Sequence, residues 1–245
     1  LGKAAALELA KEGCELIICS RNEEKIRASS EEIKEQTKSN VKHFVVDLSK
    51  SKQIDALFEN IHTEYKGIDI LVNNVGGPPM STFASISDEE WERAFQITMM
   101  SALRSSRAVL PYMKKNKWGR IINISSYSVK TPVNGLFISN SIRLGVLGWA
   151  KALSDEVATE GITVNTVCPG STRTGRIEEL IANHAKNSGM SLKEAEESMS
   201  AAIPMKRIGE PEELASLITY LASERASYIT GTAIQVDGGA TRGYN

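Results

Sequence analysis

The chain has 245 residues, of which 41% are apolar and 24% are charged, and its formal net charge is −1. This balance is typical of one large globular domain whose core needs no disulfide or metal. It excludes a strongly basic nucleic-acid binder, and no apolar run reaches the ~18 residues of a membrane-spanning helix. The three cysteines lack C-x-x-C spacing and the three histidines are not grouped, so we expect free thiols, no metal site and a cytoplasmic protein.

Apolar runs typical of strands alternate with segments of helical periodicity along the whole chain. The runs are nearly continuous in Val, Ile and Leu, which favours strands covered on both faces in a parallel sheet. The predicted strands are Glu15–Cys19, Lys42–Asp47, Asp69–Asn73, Arg120–Ile124, Thr163–Cys168 and Ala233–Val236. The alternation predicts an α/β fold for residues 1–245: a single domain with a doubly wound, Rossmann-type parallel sheet in three αβα layers.

The beginning of the chain departs from this alternation, because a helical pattern comes before any strand. Leu1-Gly2 leads directly into the pattern Lys3–Glu12, which Gly13 ends. In a doubly wound sheet the strand before this helix is central, and its absence would leave two open edges. We therefore expect the printed chain to lack about 15–20 residues that hold the first strand and most of a Gly-rich turn. The alternative is that another segment completes the sheet.

Short motifs follow the predicted strands in a fixed order. They are Asn73-Asn74-Val75-Gly76-Gly77, Ile122-Asn123-Ile124-Ser125-Ser126, Pro169-Gly170 with Thr174 beyond it, and Asp237-Gly238-Gly239. In this order and spacing, over essentially the whole chain, the motifs resemble the short-chain dehydrogenase/reductase family. Among its members, the chain is similar to the 3-oxoacyl-acyl-carrier-protein reductases.

The resemblance implies a dinucleotide bound along the carboxyl ends of the strands. Gly2 matches the last glycine of the family's Gly-rich turn, whose helix faces the pyrophosphate. Asp47 and Leu48 match the residues beside the adenine, and Asn74 and Gly76 match those on the adenosine side. In the family, the positions that contact the nicotinamide carboxamide match Pro169, Gly170 and Thr174.

The residues after the first predicted strand bear on which dinucleotide is bound. An NAD enzyme typically has an acidic residue here for the ribose 2′-hydroxyl. This chain has Ser20, Arg21 and Asn22 instead, and a guanidinium forks well onto phosphate oxygens. The segment therefore favours NADP, with NAD as the alternative.

The catalytic centre departs from the family pattern of Asn, Ser, Tyr and Lys. Ser126 matches the serine, but Ser139 stands in the place of the tyrosine, Arg143 in that of the lysine and Thr98 in that of the asparagine. In the family the tyrosine gives a proton to the carbonyl oxygen, and an aliphatic hydroxyl is a far weaker acid than a phenol. We expect these four residues to form an altered centre in which Arg143 also holds the cofactor ribose.

Other groups are alternative proton donors. Tyr127 follows Ser126 directly, a water relay between Ser126 and Ser139 is a second possibility, and His184 is a third. The stretch from Ser139 to Arg143 resembles the S-N-x-x-R pattern of a divergent subgroup. Residues 175–204 match the family's variable substrate lid, where Ile177, Leu180, Ile181 and His184 either line a pocket or cover the core.

The resulting hypothesis is an NADP-dependent oxidoreductase that acts on a small carbonyl or alcohol compound. One alternative is a nucleotide-binding protein without redox turnover, acting as a sensor or assembly subunit, and another is a cofactor-using isomerase or lyase. The resemblance also implies a homotetramer built on the predicted helices Trp91–Met113 and Phe137–Thr159. No nucleic acid or membrane partner is expected.

Overall fold

The computed structural model of the protein describes residues 1–243. Its strands are β1 (Leu16–Ser20), β2 (Val41–Val45), β3 (Ile70–Asn73), β4 (Gly119–Ile124), β5 (Ile162–Pro169) and β6 (Ala233–Val236). Its helices are α1 (Gly2–Lys11), α2 (Glu23–Thr37), α3 (Ser51–Tyr65), α4 (Asp88–Ala94), α5 (Ser101–Asn116), α6 (Phe137–Val157), α7 (Gly175–Ser188), α8 (Leu192–Ser200) and α9 (Pro211–Ala222). All six predicted strands are present, each within one or two residues of the predicted bounds.

Every strand pair is parallel, and the strands form two units. β1 pairs with β2, and the remaining four strands pair in the order β3-β4-β5-β6. Between the facing edges of β1 and β3 lies a slot of about 730 Å³, lined by residues of both strands. None of residues 1–243 supplies a strand in this slot, so the alternative that another segment completes the sheet is wrong for these residues. The expected first strand stays a prediction.

Helices cover both faces of the strands, as the three-layer prediction requires. Neighbouring residues of β4 point to opposite faces, because side chains alternate along a strand. Ile122 packs with α1 and α9 through Leu9 and Ile218, whereas Ile121 belongs to the cluster under α3 and α5. Such two-sided burial explains why the strands are almost continuously apolar in sequence. No helix within the described residues has both the length and the apolarity needed to cross a membrane.

One predicted helix is interrupted. The capping box of Ser87 and Glu90 starts α4 at Asp88, but Phe95–Met100 form a π-helical turn before α5 begins. The prediction of one regular helix over Trp91–Met113 is wrong in this respect. A π-helical turn widens the helix locally, and such turns are frequent at functional sites.

Candidate active site

Many of the predicted site residues line the slot and its continuation past the carboxyl ends of β1, β3 and β4. Open α/β sheets bind ligands at this edge. The predicted residues that line this cavity are Gly2, Ser20, Arg21, Leu48, Asn74, Gly76, Thr98 and Arg143. Asn22, Asp47, Ser126, Ser139, Pro169, Gly170 and Thr174 do not line it, although each lies at or beyond a strand end or on α6.

Gly2 and Asn74 make the closest approach across the slot. A Cβ atom at Gly2 would lie 2.5 Å from Asn74 Nδ2, which is too close for any other residue without a shift. The first turn of α1 therefore contacts the end of β3 only because residue 2 is glycine. Around Gly76, by contrast, a Cβ would meet no atom within 4 Å, so a ligand has room to approach the backbone there.

The end of β1 presents a cation that, within residues 1–243, forms no ion pair. Ser20 Oγ accepts the N–H of Asn22 at 3.3 Å, and Asn22 Oδ1 caps α2 by accepting the N–H of Lys25 at 2.8 Å. Arg21 is exposed and, within the part of the chain that the structure describes, has no hydrogen bond or ion pair. This arrangement fits the 2′-phosphate that the sequence favours.

Asp47 and Leu48 lie in the turn after β2. Ser49 donates its hydroxyl and its N–H to Asp47 Oδ1 at 2.7 and 3.0 Å. These two bonds, and then the charge of Arg21, hold the pKa of the Asp47 carboxyl below its usual value. Leu48 packs against the core under α3. Asp47 therefore shapes this turn as an ionised carboxylate, whatever it binds.

Ser126 begins the short 3₁₀ turn Tyr127–Val129 after β4. Its Oγ accepts the N–H of Ser128 at 3.1 Å. A hydroxyl that accepts a bond in this way still has its own proton to donate. Ser126 is therefore oriented by the backbone and retains the capacity to donate a hydrogen bond to a substrate oxygen.

Arg143 and Ser139 lie one turn apart on α6, and each is only 6% exposed. Arg143 Nη1 donates to the carbonyl oxygens of Ile124 and Ser125, both at 3.1 Å, and Nη2 donates to that of Val75 at 3.3 Å. Burial, and next the charge of Arg176, lower the pKa of the Arg143 guanidinium to about 10. The guanidinium thus joins the ends of β3 and β4 directly beside Ser126.

Thr98 also lines this cavity. It is buried in the π-helical turn Phe95–Met100 and lines the cavity together with Arg143. The structure therefore brings Thr98 to the same cavity as the resemblance implies, although the turn that carries it was not predicted.

The turn after β5 is tightly fixed to β6. Pro169 is the last residue of β5, and the Gly170 N–H donates to the carbonyl oxygen of Val236 at 2.9 Å. A Cβ at Gly170 would lie 2.8 Å from Asp237 Cα, so only glycine fits. Thr174 caps α7 by accepting the N–H of Ile177 at 3.4 Å, and its hydroxyl proton stays available.

The surroundings of two alternative proton donors, Tyr127 and His184, bear on that role. Burial and the charge of Asp237 raise the pKa of the Tyr127 phenol, which makes it a weaker acid. His184 pairs with Ser198 Oγ at 3.4 Å, and this pair connects α7 with α8.

Helices α7 and α8, in the segment predicted to be a substrate lid, cover a small apolar cluster of their own. The cluster contains Ile181, Ala185, Ala195 and Ile208, with Ile177 packed against it. The sequence left two alternatives for the apolar face of α7, lining a pocket or covering a core. Ile177 and Ile181 cover a core.

Arg176, in the first turn of α7, belongs to the cleft although sequence analysis did not identify it. Its Nη1 donates to the carbonyl oxygen of Gly77 at 3.2 Å, and its Nη2 donates to that of Pro78 at 3.1 Å. Helix α7 is thereby connected to the loop after β3. The available signal was an arginine two residues beyond Thr174.

Comparison with known proteins gives consistent matches over nearly the whole chain. NADPH-dependent reductase BacG of Bacillus subtilis is 34% identical over 243 residues, which are 99% of this chain and 94% of that protein. D-beta-hydroxybutyrate dehydrogenase of Rhizobium meliloti is 33% identical over 98% of this chain and 94% of its own length.

Solved structures give the same result. L-sorbose reductase from Gluconobacter frateurii, complexed with NADPH and L-sorbose, superposes with a TM-score of 0.95 at 31% identity, covering 99% of this chain and 92% of that one.

A family model described as enoyl-(acyl carrier protein) reductase matches residues 1–241. With its parallel sheet, its strand-end motifs and these relatives, the chain belongs to the short-chain dehydrogenase/reductase family of oxidoreductases.

Proposed function

We propose that the protein is an NADPH-dependent reductase of small carbonyl compounds whose centre contains Ser126, Ser139, Arg143 and Thr98 in place of the usual tetrad. The observation that carries this proposal is the position of Arg143, a buried cation hydrogen-bonded to the carbonyl oxygen of Ser125 beside the free hydroxyl proton of Ser126. A cation and a hydroxyl donor that lie side by side can stabilise a substrate carbonyl oxygen that gains negative charge during reduction.

The residues along the cavity fit NADPH. Gly2 and Gly76 allow close backbone approach, and Arg21 offers its unpartnered guanidinium to a 2′-phosphate. Asn74, Pro169, Gly170 and Thr174 would hold the adenosine and nicotinamide sides. NADPH supplies the hydride when it is bound. The relative described as NADPH-dependent and the structures solved with NADPH support this choice over NAD.

The chain's own residues would then polarise and neutralise the carbonyl oxygen. The carbon–oxygen π bond opens as carbon accepts a hydride with two electrons, and the oxygen takes one proton to become a hydroxyl. Ser126 orients the oxygen, Arg143 stabilises its developing charge, and Ser139 and water complete the path by which a solvent proton arrives. No group of these three has the pKa of an ordinary catalytic acid near neutral pH, so electrostatic stabilisation carries more of the rate than proton donation.

We further propose that the protein is a homotetramer that buries the outer faces of α5 and α6. Phe95, Phe137 and Leu144 leave large apolar areas exposed on this side of the molecule. Exposed apolar side chains that lie on neighbouring elements are typical of subunit interfaces. Light scattering coupled to gel filtration measures the assembly directly, and a monomer at micromolar concentration would contradict the proposal.

The proposed activity is tested by NADPH oxidation with the full-length protein across ketones, keto sugars, keto acids and β-ketoesters. Ser126→Ala is expected to reduce kcat/KM by about 10²–10³-fold, because it removes one donor to the developing oxyanion. Ser216→Ala is the matched control, since Ser216 is exposed on α9 and its side chain bonds only the carbonyl oxygen of Glu212. An equal loss in both variants would contradict the assigned role.

The presence of Ser139 where the family has tyrosine favours one second candidate, a nucleotide-binding protein without redox turnover. The same assay separates the two candidates. NADPH that binds with a fluorescence change, but is oxidised by no substrate of the panel, supports the second candidate.

A further inference from the structure

Two guanidinium groups flank the same residue at the mouth of the cleft. A Cβ atom built on Gly77 would lie 3.2 Å from Arg176 Nη1 and 3.6 Å from Arg143 Nη2. The two cations come from different helices, Arg143 from α6 and Arg176 from α7. Like charges that lie close together repel each other, and the charge of Arg176 contributes to the lowered pKa of Arg143.

Neither cation is neutralised by the protein. Within residues 1–243, no carboxylate lies within 4.0 Å of either guanidinium, and both donate only to backbone carbonyl oxygens. Arg173, three residues before Arg176, shows that acidic partners are plentiful nearby, because it pairs with Glu178, Glu196 and Glu210. The lid thus neutralises one arginine fully and leaves its neighbour without a counter-charge.

Each guanidinium also retains donors for a ligand. A guanidinium has five N–H groups, and the bonds of Arg143 use three of them while those of Arg176 use two. Planar guanidinium groups bind carboxylate and phosphate oxygens through paired N–H donors. The backbone N–H groups in the first turn of α7 add a positive partial charge on the same side.

The position of Arg143 limits where such an anion belongs. Arg143 Nη1 donates to the carbonyl oxygens of Ile124 and Ser125, and Nη2 donates to that of Val75, so the free N–H groups belong to Nη2 and Nε. Because Ser125 directly precedes Ser126, an anionic oxygen bound by these groups would lie at the same strand end as the carbonyl that Ser126 would orient. A substrate whose acid group is one or two carbons from the reacting carbonyl, a 2-oxo or 3-oxo acid, fits this arrangement.

We propose that Arg176 and Arg143 together bind an anionic oxygen group of the substrate, and that the preferred substrates are oxo acids. This proposal rests on the reductase function proposed above. The same chemistry would suit the diphosphate of the cofactor, and Arg176 acting only as a latch between the lid and the Gly77–Pro78 loop is a third role. The experiment below separates the three.

The first arm compares 2-oxobutanoate and 3-oxobutanoate with their methyl esters in the NADPH oxidation assay. The wild-type protein is expected to favour each acid over its ester by about 10–100-fold in kcat/KM, the effect of one charge-assisted site. Arg176→Gln should abolish this preference and Arg176→Lys should retain part of it. Lys186→Gln, which removes one exposed positive charge at the other end of α7, should leave the preference unchanged.

The second arm measures binding without turnover. Calorimetric titration of the NADPH-saturated protein with malonate should show binding that weakens at least about 10-fold in Arg176→Gln, while dimethyl malonate should not bind. NADPH affinity, measured by fluorescence, should be the same in both proteins. If neutral ketones or sugars are reduced and acids are not preferred, the oxo-acid proposal is overturned while the reductase function stands.

Three further outcomes are decisive. Weaker NADPH binding in Arg176→Gln assigns the anion to the cofactor and overturns the proposal. Equal losses for acid and ester, with NADPH affinity unchanged, identify a latch and also overturn it. If nothing is reduced, the reductase function fails, and the malonate titration alone decides whether the anion site exists.

Discussion

Two buried arginines lie at opposite ends of β4, and only one of the two charges is neutralised by an acidic residue. Arg120, at the amino end and 2% exposed, stacks on the Trp118 ring at 4.3 Å and pairs with Glu224 at 3.6 Å. Arg143, at the carboxyl end and 6% exposed, contacts only carbonyl oxygens and faces another arginine. The difference teaches how to separate a structural charge from a functional one. A neutralised buried charge stabilises its surroundings, whereas an uncompensated one is held ready for a ligand.

Among substitutions at these two sites, the largest expected effect is the loss of activity on replacing Arg143. Arg143→Met should lower kcat/KM by about 10²–10³-fold, because it removes the cation beside the developing oxyanion. Its effect on the free energy of unfolding should be small, since the lost carbonyl bonds are offset by relief of an uncompensated buried charge. Steady-state kinetics and urea unfolding measure the two quantities, and a variant with much lower stability but unchanged kcat/KM per folded molecule would contradict the assignment.

Arg120→Met should have the opposite profile. It leaves the carbonyl oxygens of Gly119 and Gly161 without their donor, and unsatisfied buried groups cost about 1–3 kcal/mol in the free energy of unfolding. The kcat/KM per folded molecule should not change. A loss of turnover in the fully folded variant would show that the two ends of β4 are not as distinct as their contacts indicate.

The pH dependence of activity sharpens the comparison further. Because the pKa of Arg143 is lowered to about 10, the cation required for catalysis is present at neutral pH and is lost as the pH rises through that value. The kcat/KM should therefore be level between about pH 6 and pH 9 and fall above about pH 10. Arg176→Gln removes a like charge, which favours the charged form of Arg143 and moves this fall to higher pH. An alkaline limb that is identical in both proteins argues against coupling of the two arginines.

The smallest effect is expected at the exposed partner of Arg120. The Glu224 side chain is 72% exposed, so Glu224→Gln should change the free energy of unfolding by only about 0–1 kcal/mol. Thermal unfolding at low and high salt measures this contribution. A larger loss would mean that Glu224, and not the packing on Trp118, is the main support of Arg120.

Much of the fold was predictable from the sequence because its signals are local. Continuous apolar runs such as Arg120–Ile124 indicate buried parallel strands, and Ser87 with Glu90 indicates a helix start. The resemblance also identified the positions of Ser126 and Arg143, though their roles remain proposals. The network around Arg143 was not predictable, because its partners Val75, Ile124 and Ser125 come from two distant segments. The role of Arg176 was not predicted for the same reason, since its contact with Gly77 joins residues that are 99 positions apart in the chain.

The π-helical turn Phe95–Met100 has a consequence for how this region tolerates change. Thr98 reaches the cavity because the turn is wider than an α-helix, so its position depends on the number of residues in the segment. Deleting one residue would restore a regular helix and turn Thr98 away from the cleft, while α4 kept its Ser87 cap and α5 kept its buried face. Substitutions within these six residues should therefore be accepted far more readily than any insertion or deletion.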